Sequence, residues 1–357
     1  MKVCILGDGL TSLTLAKALV NLGIKVDIYS NQIGKKYNRI RTIGVSKSNL
    51  EFFNKNIINI EKLSWDVKKI EIYSEILNNE RILKFQDNNQ KLFSIIRNYQ
   101  LIALLLSALK KNKLVSFRKK INSNFLNNNN YNLIFNCEHN NLVTKKIFFK
   151  KIKKNYNSFA YTTIIKHKKI INNDVAIQTF TKDGPIAFLP VSSTETSIVY
   201  SIKGRKKINL KKMINKYNKK YENIKLNQIF NFELKSVNLR SYYYKNILAF
   251  GDLLHKLHPL AGQGFNMSIR DISEISKIIK FRLDHGLDLD YSVCSDFEKN
   301  NKHKNYLFSN GIDFIHEFFS LENKIENNLF SKSVKFLGKN KITNNIFKNF
   351  ADKGLVI

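Results

Sequence analysis

Residues 2–6 read Lys-Val-Cys-Ile-Leu, a short apolar run suited to a buried strand, and the chain turns at once through Gly7-Asp8-Gly9. Residues 10–22 then carry apolar side chains at helical spacing, and residues 24–29 return to a strand pattern. Strand, glycine turn, helix and strand inside 29 residues leave few folds open, because a helix crossing between parallel strands must cover their sheet. This order opens a dinucleotide-binding unit. Gly7 permits the tight turn, Gly9 lets the backbone approach a pyrophosphate, and the helix start supplies N–H donors with a partial positive charge. Ser12 stands where the third glycine of such turns belongs, and Ser30 stands where an acid usually holds the ribose. A serine hydroxyl can replace that acid only with a weaker hydrogen bond, and Asp27 points to the other face of its strand.

Further along, residues 95–109 are expected to form a helix and residues 132–137 a strand that closes an Asn-rich surface loop. Between 161 and 202 the runs 162–166, 176–181, 186–190 and 196–202 are short, β-type and separated by turns, which predicts an antiparallel sheet. Residues 247–250 form a buried-strand pattern, 264–281 a helix, and the chain after 291 reads as helices with Lys- and Asn-rich turns. No fixed-period repeat is present.

The segment from Gly251-Asp252 to Asp271 carries the most specific chemistry. A Gly-Asp pair after a buried strand can set one carboxylate against the ribityl hydroxyls of a flavin. Gly262-Gln263-Gly264 then opens a helix whose unpaired N–H groups can face the pyrimidine edge of the ring, where negative charge collects on reduction. His255 and His258 stand three residues apart, and two histidines fall short of a zinc ligand set, so no metal site is expected. Lys256 reads as a solvated side chain.

Charge and cysteine usage bound the remaining possibilities. With 60 Lys+Arg against 28 Asp+Glu, the net charge of +32 creates a field that attracts anionic lipid or nucleic acid. Abundant Lys, Asn, Ile, Phe and Tyr with only 3 Pro and 1 Trp is also the pattern an AT-rich genome imposes, and no nucleic-acid recognition motif accompanies the charge. Specific nucleic-acid binding is therefore not expected. Cys4, Cys137 and Cys294 are far apart, which suggests neither a disulfide framework nor a zinc site and fits a reducing cytosol. The apolar runs at 3–6 and 101–106 are too short for a signal core or a membrane span of about 20 residues.

Residues 251–271 resemble the second FAD motif of the group A flavoprotein monooxygenases. Together with Gly184-Pro185-Ile186-Ala187-Phe188-Leu189-Pro190, they look like the ubiquinone-biosynthesis hydroxylases of that group, the 2-polyprenyl-6-methoxyphenol hydroxylase type. Arg41-Thr42-Ile43-Gly44-Val45-Ser46 is similar to the family's arginine segment, and Ile95-Ile96-Arg97-Asn98-Tyr99-Gln100-Leu101 to its V-V-E-N-x-x-L helix start. The middle motif G-A-D-G-x-x-S-x-x-R is eroded at 136–145, keeping an acid at Glu138 and a base at Lys145.

The resemblance implies an α/β fold with a discontinuous Rossmann-like FAD-binding domain (1–65, 95–157, 240–290), an inserted antiparallel-sheet substrate domain (66–94, 158–239) and C-terminal helices (291–357). It implies FAD contacts from Gly7, Gly9, Ser12, Ser30, Arg41, Asn98, Gly251, Asp252, Pro259, Gly262, Gly264 and Asn266, with Pro259, Gly262, Gln263 and Gly264 nearest the flavin ring and no acid–base pair nominated. The implied reaction is hydroxylation of a polyprenylated phenol by O₂ with NAD(P)H as electron donor. A basic protein could reach such a substrate from an anionic membrane surface, peripherally on the inner face of the cytoplasmic membrane and beside other quinone-biosynthesis proteins. The competing expectation is a degenerate flavoprotein acting as a structural subunit of a quinone-biosynthesis assembly.

Overall fold

The computed structural model describes residues 1–30, 38–87, 90–119, 130–204, 209–258, 262–325 and 328–354. Its helices are α1 (Leu10–Asn21), α2 (Lys47–Asn56), α3 (Asn98–Lys110), α4 (Leu142–Lys146), α5 (Leu210–Tyr217), α6 (Gln263–Asp284), α7 (Tyr291–Ile325), α8 (Leu329–Lys339) and α9 (Lys341–Lys353).

Among the described residues the strands form three sheets. The first runs in the order β16 (Tyr243–Tyr244), β17 (Ile247–Ala249), β9 (Leu133–Asn136), β1 (Lys2–Leu6), β2 (Lys25–Tyr29) and β8 (Val115–Arg118). From β17 to β8 every pair is parallel. Strand β1 therefore lies inside the sheet, and Val3, Cys4, Ile5 and Leu6 are wholly buried. Leu13, Leu15 and Leu19 of α1 share its core with Ile269, Ile272 and Ile275 of α6, so the sheet is covered by helices as parallel sheets require.

The second sheet holds nine strands. Its path is β18 (His255–Lys256), β15 (Phe230–Leu239), β10 (Lys151–Lys166), β13 (Glu195–Lys203), β12 (Gly184–Pro190), β11 (Val175–Thr181), β5 (Lys69–Ser74) and β6 (Glu80–Gln86), with β14 (Lys225–Leu226) on β10. All pairs are antiparallel except β11 with β5, in agreement with the alternating pattern of 161–202. The third sheet, β3 (Thr42–Ser46), β7 (Phe93–Arg97) and β4 (Ser64–Val67), is tied to β13 of the second. Thr42 Oγ1 lies 2.8 Å from Ser197 Oγ, and Arg97 pairs with Glu195.

One expected element is corrected. The helix expected over 95–109 begins only at Asn98, because Ile95 and Ile96 belong to β7, the central strand of the third sheet, between β3 and β4. β-Branched side chains favour that pleated environment over a helix start.

Candidate functional site

A single cavity of about 1280 Å³ reaches from the start of α1, past the start of α6, to the face of the nine-stranded sheet. That exceeds the usual range of roughly 300–1,000 Å³ for one small-molecule site.

The first end is built by backbone. Gly7 has φ of +118°, a conformation that L side chains rarely adopt, and a Cβ there would meet Glu138 Cγ at 3.0 Å and Ser12 Oγ at 3.1 Å. Gly9 occupies the N-cap of α1 without a side-chain cap, and a Cβ on it would meet nothing within 4 Å. The first-turn N–H groups therefore face the open space lined by Gly9, Leu10, Thr11 and Ser12. Gly251 serves close packing instead. With φ of +63°, its absent Cβ would lie 2.9 Å from Thr11 Cγ2, so its turn packs directly on the start of α1. That contact leaves Asp252 exposed on the cavity wall.

The other end is the start of α6. Gly262 is left-handed (φ 65°, ψ 23°) and caps the helix without a side-chain hydrogen bond; a Cβ on Gly264 would meet nothing within 4 Å. Gly44 lies against this turn, its N atom 3.7 Å from a Cβ placed on Gly262. Across the cavity, Asn98 N donates to Arg41 O at 3.0 Å, which brings together residues far apart in the chain, and both line the wall. The pairing of Thr42 with Arg97 in adjacent strands sets this register.

Beyond α6 the wall becomes apolar. Pro185, Ala187 and Leu189 of β12 line it while Ile186 and Phe188 are buried in the core behind, the alternation of a strand with one face on a chamber. Strand β12 lies between β11 and β13, so both its prolines sit inside the sheet and not on an edge. Phe180 of the neighbouring β11, paired with Pro185, adds to this wall, and Phe318 of α7 and Phe350 of α9 also line the chamber. His258 also borders the cavity; burial and the neighbouring His316 hold it down to about 3, so the ring is neutral. It meets Tyr156 edge-on and His316 at a tilt, while His255 pairs with the buried Asp271. Among the described residues no group of three His, Cys, Asp or Glu could hold a metal ion.

Two helix starts without side-chain caps, the exposed Asp252 carboxylate and an Arg–Asn pair around one cavity fit an extended cofactor with an anionic middle and a flat ring. No family model matches the chain. Along 225 residues it is 24% identical to the ubiquinone biosynthesis monooxygenase COQ6 of Danio rerio, covering 51% of this chain and 46% of that protein. Along 158 residues it is 26% identical to the 3-demethoxyubiquinol 3-hydroxylase of Escherichia coli, covering 41% and 40% respectively. The chain thus matches less than half the length of these relatives. The structure superposes on p-nitrophenol 4-monooxygenase PnpA of Pseudomonas putida with a TM-score of 0.80 at 11% identity, over 99% of this chain and 98% of that one. For Klebsiella pneumoniae HpxO, solved with FAD and uric acid, the TM-score is 0.77 at 12% identity, over 99% and 97%.

The fold is that of the FAD-dependent monooxygenases. The chain's sequence relatives include ubiquinone-biosynthesis hydroxylases, the group whose motifs it resembles.

Within this monooxygenase fold the expected site residues separate into those that line the cavity and those that shape it. Gly9, Ser12, Arg41, Asn98, Asp252, Gly262, Gln263, Gly264 and Asn266 all line it. Gly7 and Gly251 shape its wall from behind, and Pro259 lies outside the described residues. The Asn266 amide is committed to structure: Nδ2 donates to Gly44 O at 2.9 Å, and Oδ1 accepts from Ser46 N at 2.9 Å. It pins α6 to β3 and so holds the Gly262 turn against Gly44. Gln263 donates from Nε2 to Ala351 O at 3.0 Å, facing α9. Ser30 is buried and does not reach the cavity wall.

In the eroded middle motif, Cys137 and His139 reach the cavity, Glu138 sits behind the Gly7 turn, and Lys145 points to solvent. Lys256 borders the cavity in β18 and is half-buried, which corrects its reading as a solvated bystander. Sequence reasoning also missed the end of α9, where Ser48 N donates to Asp352 Oδ1 at 2.9 Å and Ser46 Oγ to Asp352 O at 2.9 Å. No local motif announces contacts between residues 304 apart.

Proposed function

We propose that this chain is an FAD-dependent monooxygenase that hydroxylates a polyprenylated phenol on the route to ubiquinone, taking electrons from NAD(P)H. The observation that carries the reading is one cavity with a polar, backbone-lined end at the starts of α1 and α6 and an apolar chamber beyond. The N–H groups of Gly9 to Ser12 would hold the pyrophosphate, Asp252 the ribityl hydroxyls, and the start of α6 the pyrimidine edge of the ring. FAD, when bound, supplies the redox chemistry that activates O₂. The chain's part is to orient an electron-rich ring, exclude water through β12 and the C-terminal helices, and present positive dipole ends where negative charge develops. Purified protein should retain FAD and oxidise NAD(P)H in step with hydroxylated phenol. The structural-subunit reading, favoured by the outward Lys145 and the buried Ser30, instead expects no substrate-dependent oxidation.

An apolar tail also explains where the chamber opens. Phe314, Leu337 and Phe347 line the cavity and are at the same time exposed, and the neighbouring Phe336 and Ile342 are 76% and 71% exposed. Lys339 and Lys341 stand among them, beside Lys335 and Lys348, which pair with Glu80 and Asp87. No helix among the described residues is long and apolar enough to cross a membrane. This surface suits peripheral contact, with each lysine near an anionic bilayer contributing about 1 kcal/mol. The protein should co-sediment with anionic vesicles at low salt and release as salt shortens the screening length to about 8 Å near 0.15 M. Equal binding to neutral vesicles would remove the electrostatic account and leave apolar insertion.

A further inference from the structure

In a dinucleotide-binding βαβ unit the ribose acid stands at the end of the second strand, roughly 20 residues past the glycine turn. Here that place is Ser30, fixed by its N–H donating to Arg118 O at 3.0 Å. Its hydroxyl donates to Asp8 Oδ2 at 2.5 Å. A carboxylate on the turn thus stands beside the strand end that lacks one. Gly7 N donates to Tyr29 O at 2.8 Å, tying the turn to the end of β2 and setting Asp8, which is half-buried, between the two strands. Of the other acids nearby, one is already paired and the other follows a different strand. Asp27 is buried, accepts from Tyr131 Oη at 2.8 Å and pairs with Lys2 Nζ at 2.9 Å. Glu138 follows β9, on the opposite side of β1 from β2, and its carboxyl is pushed up by burial and by the Asp8 charge.

We propose that Asp8 is the residue that holds the adenosine ribose of the dinucleotide cofactor, with Ser30 as a positioning residue that orients its carboxylate. The Ser30 hydroxyl occupies Oδ2 and leaves Oδ1 to accept from a ribose hydroxyl, a charge-assisted bond of the kind the strand-end acid ordinarily makes. The inference rests on the FAD reading above and adds to it a residue outside the family's arrangement.

Dissociation constants for FAD and FMN, measured by flavin fluorescence on the full chain, test it. FMN lacks the adenosine half, so the two ligands separate the ribose contact from the flavin contact. Asp8→Ala should weaken FAD by about tenfold to a hundredfold and leave FMN within about twofold, the loss of one charged hydrogen bond. Asp8→Asn, which keeps an acceptor for Ser30, should show a similar FAD loss with the parent's circular dichroism. Ser30→Glu should weaken FAD, because it sets a second carboxylate against Asp8. The double variant Asp8→Ala, Ser30→Glu should regain most of the parent's affinity by returning the acid to the strand. An unchanged FAD constant in both Asp8→Ala and Asp8→Asn, or tighter FAD in Ser30→Glu, would overturn the proposal while leaving the flavin reading intact. A parent chain with no affinity for FAD would overturn both.

Discussion

Asp252→Ala is expected to purify folded and with most of its FAD gone. The turn that carries Asp252 is fixed by Gly251 against Thr11 and by Leu253 and Leu254, which are wholly buried, and none of these contacts involves the Asp252 carboxylate. That carboxylate is exposed on the cavity wall between the starts of α1 and α6, where an extended chain of hydroxyls would cross. Removing one charged hydrogen bond costs about 1.5–3 kcal/mol, or roughly one to two decades in affinity, and a second hydroxyl on the other oxygen would take the loss to the upper end. Asp252→Asn should fall between, since an amide oxygen still accepts but carries no charge. Bound FAD per chain, read by absorbance alongside circular dichroism, decides the matter. Flavin held as tightly as in the parent would sink the assignment of this residue and move the weight to the structural-subunit reading. Lys256→Ala is no silent control here, because Lys256 borders the same cavity; Lys169, distant from it in a turn of the large sheet, is a better one.

How much of this was legible in the sequence depended on how local each cause is. The turn at Gly7-Asp8-Gly9 and the segment from Gly251 to Asp271 could be read directly, because the residue that needs an unusual backbone sits beside the helix it starts. Arg41 and Asn98 needed the resemblance, since only the β3–β7 pairing brings them together. The start of α3 was misplaced because Ile95 and Ile96 continue an apolar pattern that helix and strand share, and the neighbours that settle it, Gly44 and Trp65, are distant in sequence. Asn266 was assigned to the cofactor from its motif, yet its amide is taken up by the backbone of β3, which no spacing rule records. Ser30 was legible as a departure but not as a partner of Asp8, because a side chain crossing from a turn to a strand end leaves no periodic trace.

The start of α6 supplies the second large effect, and Gly262→Val is expected to lose both stability and flavin. At φ of 65° and ψ of 23° Gly262 is left-handed, a region where a β-branched residue is a genuine outlier costing about 1–3 kcal/mol. A bare Cβ would fit, since its nearest neighbour is Gly44 N at 3.7 Å, so the penalty comes from backbone conformation and from the valine methyls rather than from the first carbon. The melting temperature should fall by roughly 2–12 °C, at about 2–4 °C for each kcal/mol. Asn is the informative comparison because it adopts this conformation readily. Gly262→Asn should recover most of the stability, yet its side chain would still stand over the first N–H groups of α6 and weaken FAD. Stability and cofactor affinity would thereby separate: strain lowers the first in the valine variant alone, and obstruction lowers the second in both. If the asparagine variant binds FAD as the parent does, the ring does not rest on this helix start, and the pyrimidine edge must be sought along the wall formed by Arg41 and Asn98.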